Sequence, residues 1–256
     1  MKDWNSSLYL KFKKERTQPS VDLVKRIDIV NPKKIIDIGC GPGNSTKVLA
    51  DRFPNAEILG VDYSDDMLKK AKLNHPDIDF KKFDACEKSW DLDTDYDIVF
   101  SNACIQWIPD HRELLPKMMG LLKDGGVMAV QIPLQRSQPV HHIVKSVAKS
   151  AKWSGKFDFE RPFYILDEGE YFDILSEISK DFTMWQTTYY HRLCSHQDIV
   201  EWYKSTGMKP YLDVLDDQDK NEFISDVYNE LIKEYKVQQN GEIIFKFPRL
   251  FFIGKK

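Results

Sequence analysis

The chain has 256 residues, 42% hydrophobic and 12% aromatic, enough for one large α/β domain or a core with a modest second lobe. A formal net charge of −3 gives no general electrostatic reason to bind nucleic acid or an anionic membrane, though it leaves room for a local basic pocket. The four cysteines (Cys40, Cys86, Cys104 and Cys194) form no C-x-x-C pair and show no metal-ligand spacing, so reduced thiols in a cytoplasmic protein without a metal are expected.

Trp4, Leu8, Tyr9 and Phe12 recur at helical spacing, and Val21, Leu23, Val24 and Ile27 form a second amphipathic segment closed by Pro32. Residues 1–31 therefore read as an N-terminal helical cap, placed to pack or to fold over a ligand. Charges at Lys11, Lys13, Lys14 and Glu15 interrupt any signal-peptide core, and no apolar run approaches a membrane span.

Residues 34–38 are apolar and rich in isoleucine, the pattern of a buried parallel strand. The run breaks into Gly39-Cys40-Gly41-Pro42-Gly43, and a helical pattern starts at Asn44. Glycines at a strand-to-helix turn let the backbone bend sharply and let a ligand approach main-chain amides. A dinucleotide fingerprint would need glycine at position 44, where Asn44 stands.

Residues 57–62 read as a second strand ending in Asp62, 25 residues after Asp37. A carboxylate there is placed to accept hydrogen bonds from both hydroxyls of a ribose. The rival role, capping the next helix, is served by Ser64, with Asp65 and Asp66 in the first turn. Met67 lies one turn in, where it can lean on a base.

Residues 78–83 suggest a third strand ending in Asp84-Ala85, whose carboxylate can take an adenine amino group or simply shape a turn. Residues 97–102 form a fourth strand ending at Asn102, followed by Ala103 and Gln106-Trp107. A helix over 110–122 and a turn over 123–126 lead to a fifth strand, 127–132.

The second half carries helical patterns over 141–153, 168–178 and 222–235, a strand over 182–192 and a last strand over 243–253. A capping-box pattern, Ser195-x-x-Asp198, opens another helix through Tyr203. The expected fold is a Rossmann-like, doubly wound, mostly parallel seven-stranded sheet with helices on both faces and a helical lid. Residues 32–133 would form its core and 134–256 the lid helices and last two strands, within one compact domain. Asp37, the glycines, Asp62, Asp84 and Asn102 then share one strand edge.

Gly39-x-Gly41-x-Gly43 behind Asp37, with acidic ends on strands two and three, resembles the class I S-adenosyl-L-methionine (SAM)-dependent methyltransferases over residues 32–133. Further blocks are similar to the trans-aconitate methyltransferase family: residues 3–10, 15–19, 37–46, 102–103 and 106–111, Thr187-Thr188-Tyr189-Tyr190-His191, Ser195-His196-Gln197, Gln239-Asn240-Gly241 and Phe247-Pro248-Arg249-Leu250-Phe251. The resemblance implies SAM as cofactor and S-adenosyl-L-homocysteine as product, in a cytoplasmic, monomeric enzyme esterifying a small polycarboxylic acid. It implies a cofactor pocket of Tyr9, Asp37, Gly39, Cys40, Gly41, Gly43, Asp62, Tyr63, Met67, Asp84, Ala85, Asn102, Ala103 and Gln106. One departure concerns the loop bordering the substrate: the family tends to continue Pro-x-Asn after strand five, whereas here Pro133 is followed by Leu134-Gln135-Arg136.

A carboxylate is ionised at neutral pH, so methylating it requires no general base, and no catalytic acid or base is expected. The spectator carboxylates need arginine forks and hydroxyl donors. Candidates are Arg16, Arg136, Tyr189, Tyr190, His191, Arg192 and Arg249, the last inside an apolar strand where an unpaired charge is costly. Methyl transfer to oxygen or nitrogen of another metabolite would want a base near 102–107, where His111 is expected only to cap or solvate its helix. An NAD-dependent oxidoreductase is disfavoured by Asn44 and by the lack of an evident Tyr/Lys proton relay. A non-catalytic SAM-binding protein is the remaining alternative.

Overall fold

A computed structural model describes residues 12–159, 163–204 and 206–256. Trp4, Leu8 and Tyr9 lie outside these. Among the described residues the chain forms two compact units interleaved in sequence. One holds residues 12–16, 134–159, 188–204 and 206–248, the other 17–133, 163–187 and 249–256.

The second of these contains the strands expected from the apolar runs: β1 (Lys34–Ile38), β2 (Glu57–Asp62), β3 (Asp79–Lys82), β4 (Tyr96–Asn102) and β5 (Leu122–Pro133). With β6 (Asp181–Leu193) and β7 (Ile243–Lys255) they give the sheet order β3-β2-β1-β4-β5-β7-β6. Neighbours from β3 to β5 pair in parallel, and β7 runs antiparallel to β5, from Val127↔Lys255 to Pro133↔Arg249. Ile35, Ile36, Ile98, Val99, Phe100, Ala129 and Val130 are fully buried, as strands covered on both faces by helices require.

Helix α1 (Lys13–Lys25) precedes β1, while α2 (Asn44–Arg52), α3 (Asp65–Asn74) and α4 (His111–Gly120) pack on β2, β3 and β5. α1 continues through Pro19; it starts after Phe12, the last residue of the first expected segment, and holds Val21, Leu23 and Val24 of the second. Ser64 caps α3 by accepting from the Met67 amide, and Asp110 caps α4 by accepting from the Glu113 amide.

Residues 123–126 are not a free turn before β5. They bulge out of it, because Leu122 already pairs with Tyr96 and pairing resumes at Ile98↔Val127. Asp97 fills the break: its Oδ2 accepts from the Lys33 and Lys34 amides at 2.7 and 2.9 Å, and Oδ1 pairs with Lys123.

The other unit is helical and aromatic. It contains α5 (Pro139–Ala148), α7 (His196–Lys204), α8 (Lys209–Val214) and α9 (Asp217–Glu234), whereas α6 (Glu168–Ile178) belongs with the sheet. Its core gathers Val140, Val144, Trp153, Ile199, Trp202, Phe223, Val227, Leu231 and Phe245. α9 begins five residues before the expected 222, capped by Asp216, because its polar first turn hides the helical period. α8 had no counterpart among the expected elements.

The Asp97 network sets a stability expectation. Its ion pair and amide bonds hold the carboxyl below the usual carboxylate range against the opposing effect of burial. A lowered folded-state pKa means that its contribution is present above the unfolded value and lost as pH falls through the folded one. Asp97→Ala should cost about 2–4 kcal/mol at pH 7, read by urea denaturation, with the deficit narrowing in acid. A deficit independent of pH would refute the ionic part of this account.

Candidate functional site

At the end of β1 the side chain of Asp37 is fully buried. Its Oδ2 accepts from Ser45 Oγ and Thr46 Oγ1, both at 2.7 Å, which ties the strand to the first turn of α2. Oδ1 is buried with no hydrogen-bond partner among the described residues. Burial pushes the carboxyl up to about 6; the two hydroxyls oppose that shift and the Asp62 charge adds to it.

Glycine is required in the following turn for two different reasons. Gly39 has φ +76°, and a Cβ there would sit 2.1 Å from Cys104 Sγ. Gly41 has φ +55°, yet a Cβ there would meet nothing within 4 Å. Packing excludes a side chain at the first, while the second faces open space, as a cradle for a ligand should.

Asp62 holds this turn in place. Its Oδ2 accepts from the Gly41 amide and its Oδ1 from the Ser64 amide, each at 2.9 Å. Burial raises its pKa. Ser64 caps the helix, as expected, so Asp62 is not needed there. Tyr63 is exposed and Met67 half-buried on the next turn. Asp84 accepts from the Cys86 amide at 2.9 Å, the turn geometry weighed from sequence, and Ala85 stands half-buried beside it. Cys40 packs with Leu68, Ala71 and Phe80, its thiol pushed up by burial and by the Asp37 and Asp62 charges.

The ends of β4 and β5 bring another group together. Asn102 lies in register with Gln131, and the Ala103 amide donates to the Gln131 carbonyl at 2.9 Å, with Ala103 at φ +54°. Gln106 is buried and donates through Nε2 to the Ala103 carbonyl at 2.7 Å. Its Oε1 and the Oδ1 of Asn102 are buried without partners among the described residues. Arg249 on β7 is 4% exposed and donates to Gln131 Oε1 at 3.2 Å. Sequence reasoning missed Gln131; the available signal was an amide inside an apolar strand.

His111 is neither a solvated cap nor a free base. It is buried, its Nε2 lies 2.8 Å from the Ile105 carbonyl and its Nδ1 2.6 Å from the Tyr171 hydroxyl. A carbonyl only accepts, so Nε2 carries the proton and Nδ1 receives the tyrosine's. Burial lowers its pKa and keeps the ring neutral.

The other substrate candidates fall in the helical unit. Arg16 donates to the Trp202 carbonyl at 3.2 Å and lies 5.2 Å over the Trp202 ring. His191 packs 5.1 Å from the same ring, and Tyr189 stacks on His191 at 6.0 Å. Three of the candidates thus meet around Trp202, a residue the sequence did not single out. Arg136 and Tyr190 are exposed, the latter beneath Lys246. Arg192 is engaged elsewhere: its guanidinium grips Glu242 at 2.7 and 2.8 Å on the surface.

The family described as a methyltransferase domain matches residues 35–126. Trans-aconitate 2-methyltransferase of Escherichia coli O7:K1 is 39% identical over 256 residues, spanning 100% of this chain and 99% of that protein. The chain belongs to the trans-aconitate 2-methyltransferase family. It is a SAM-dependent methyltransferase with the Rossmann-like fold of its class.

The YcgJ protein of Bacillus subtilis resembles it at TM-score 0.60 and 16% identity over 93% of this chain and 98% of that one. Phosphoethanolamine N-methyltransferase 2 of Haemonchus contortus, solved with SAM, gives TM-score 0.58 at 18% identity over 93% and 52%. These likenesses show the fold. Among the described residues no helix is long and apolar enough to cross a membrane, and no cluster of side chains is arranged to hold a metal.

The residues fit the family's cofactor. SAM carries a sulfonium and an ammonium, and the partnerless buried atoms of Asp37, Asn102 and Gln106 are all acceptors. The open cradle at Gly41 adds main-chain access.

Asp37 gives a test with opposed signs. A carboxyl raised from 3.8 to about 6 makes its stability contribution complete below the lower value and lost as pH rises through the higher. The protein without cofactor should therefore lose about 2 kcal/mol between pH 4 and pH 7 from this group. Asp37→Asn should be the more stable protein above pH 6 by chemical denaturation, yet bind SAM more weakly by calorimetry. Parallel stability profiles for the two proteins would refute the buried charge.

Proposed function

We propose that the protein transfers the methyl group of SAM to one carboxylate of trans-aconitate, giving the monomethyl ester and S-adenosyl-L-homocysteine. The observation that carries this reading is the identity to enzymes of that name along the whole chain, well beyond the common domain at 35–126. Acceptor choice resides in those further segments.

Bound SAM supplies an electrophilic methyl on a sulfonium. Asp37, Gly39, Cys40, Gly41 and Gly43 would form its cradle, with Asp62 taking the ribose hydroxyls. Tyr63, Met67, Asp84 and Ala85 would serve the adenine, and Asn102, Ala103 and Gln106 the methionyl end. An ionised acid needs no deprotonation, which agrees with a neighbouring histidine closed off by Ile105 and Tyr171. The chain's task is to align oxygen, methyl carbon and sulfur, which can contribute roughly 7–11 kcal/mol. Arg249 would hold a spectator carboxylate, since tight pairing of the attacking one would occupy its lone pairs. In the helical unit the Arg16, Tyr189 and His191 group also has the donors a carboxylate wants, whereas Arg192 already has one in Glu242. The protein would act as a cytoplasmic monomer, without nucleic acid or membrane.

Incubation with methyl-labelled SAM and a panel of di- and tricarboxylic acids should yield base-labile methyl ester with trans-aconitate foremost. Label in a base-stable product, or none with any acid, would end the proposal. Arg249→Ala should lower kcat/KM for trans-aconitate on the order of 100-fold. Asp62→Ala should weaken SAM binding on the order of 10- to 100-fold, because ribose acceptors and the Gly41 anchor go together. Unchanged SAM affinity would reduce Asp62 to a local structural role.

A further inference from the structure

Gln131 carries, near a strand end, a buried side-chain donor with no partner among the described residues. It sits near the C-terminal end of β5, fully buried, between Val130 and Ile132. The orientation of its amide is fixed by chemistry: arginine can only donate, so the atom facing Arg249 at 3.2 Å is Oε1. Nε2 therefore points the other way, buried and without a partner among the described residues. An unpaired donor in a strand core costs stability that a leucine or valine would avoid. Beside it stand Arg249 on β7 and, in register on β4, Asn102.

Open acceptors at Asp37, Asn102 and Gln106 suit a cation, whereas an open amide donor next to a guanidinium suits a carboxylate. We propose that Gln131, backed by Arg249, is a substrate-binding residue whose Nε2 donates to a carboxylate oxygen of the acid being methylated. This rests on the reading of the protein as a carboxyl methyltransferase. The methionyl carboxylate of SAM has the same chemistry. The acid is preferred because the cation-suited acceptors lie on β1, on β4 and just beyond it, while the donor pair stands on β5 and β7. Gln131 then acts as a polarity filter: an ammonium or other donor-only acceptor would find N–H against N–H.

The test uses the full chain saturated with S-adenosyl-L-homocysteine, titrated calorimetrically with trans-aconitate, alongside steady-state kinetics. Gln131→Met removes the donor; Gln131→Glu keeps the shape and the Arg249 contact but opposes carboxylate with carboxylate. Acid affinity should fall on the order of 10- to 100-fold in the first and further in the second, with KM changing more than kcat and S-adenosyl-L-homocysteine affinity unchanged. Gln131→Glu is near-isosteric, so it reports even if the methionine variant folds poorly. If the wild type forms the ester and both variants bind the acid as tightly, the inference falls while the proposed function stands. A loss confined to S-adenosyl-L-homocysteine affinity would also overturn it, assigning the donor to the methionyl carboxylate. A wild type that neither binds nor methylates any acid would remove both.

Discussion

The fold's functional edge depends on a carboxylate kept almost without water. Asp37, next to last in β1, has one oxygen bound to two hydroxyls on the first turn of α2 and the other bound to nothing among the described residues. Half of this arrangement is structural: Ser45 and Thr46 fix where the helix leaves the strand. The other half is a standing electrostatic debt, since a buried carboxylate with unsatisfied lone pairs destabilises the fold. Such a group is retained where its charge is more useful desolvated than hydrated. At low local dielectric its attraction for a sulfonium or ammonium greatly exceeds its value in water. The raised pKa and the open oxygen are two aspects of the same arrangement.

Asp37, Asn102 and Gln106 leave acceptors open on β1, on β4 and just past it, while Gln131 leaves a donor open on β5 beside the buried guanidinium of Arg249 on β7. A cation and an anion reacting to form two neutral products suit such a division. Water stabilises the separated charges more than a transition state in which charge is cancelling, so fixed dipoles that position without overbinding are advantageous. An acceptor that is already ionised needs no base to deprotonate it. The nearby histidine is accordingly spent on packing, joining the Ile105 carbonyl to Tyr171 as a neutral ring.

The sheet was legible because isoleucine and valine runs ending in Asp37, Asp62 and Asn102 carry both strand and edge in one local pattern. That Asp62 does not cap the next helix was legible, since Ser64 already offered a cap. What sequence could not show depends on distance along the chain. Arg16 and Trp202 are 186 residues apart, and nothing local says that they meet. Residues 123–126 resemble a turn because glycine pairs mark turns and bulges alike; only the pairing of Leu122 with Tyr96 tells them apart. Gln131 is ambiguous for a related reason. One amide in a buried strand looks the same whether or not its donor is satisfied, and Arg249, 118 residues later, decides which of its ends is free.

Asp62 shows how binding and architecture are combined in one group. Its two oxygens already accept from Gly41 and Ser64, yet each carboxylate oxygen has a second acceptor direction. The side chain can therefore hold the glycine turn and receive ribose hydroxyls at the same time. A loop that had to order itself around the cofactor would spend binding energy on that ordering. Here the amide nearest the open cradle is fixed beforehand by the residue expected to touch the ligand. Gly41 needs its left-handed backbone to bring that amide round, and Asp62 needs the amide to stay ionised in a half-buried site that otherwise raises its pKa. Each makes the other tolerable, which is why a glycine turn alone is a weak sign of a nucleoside site and a glycine turn bound to an acidic strand end is a stronger one.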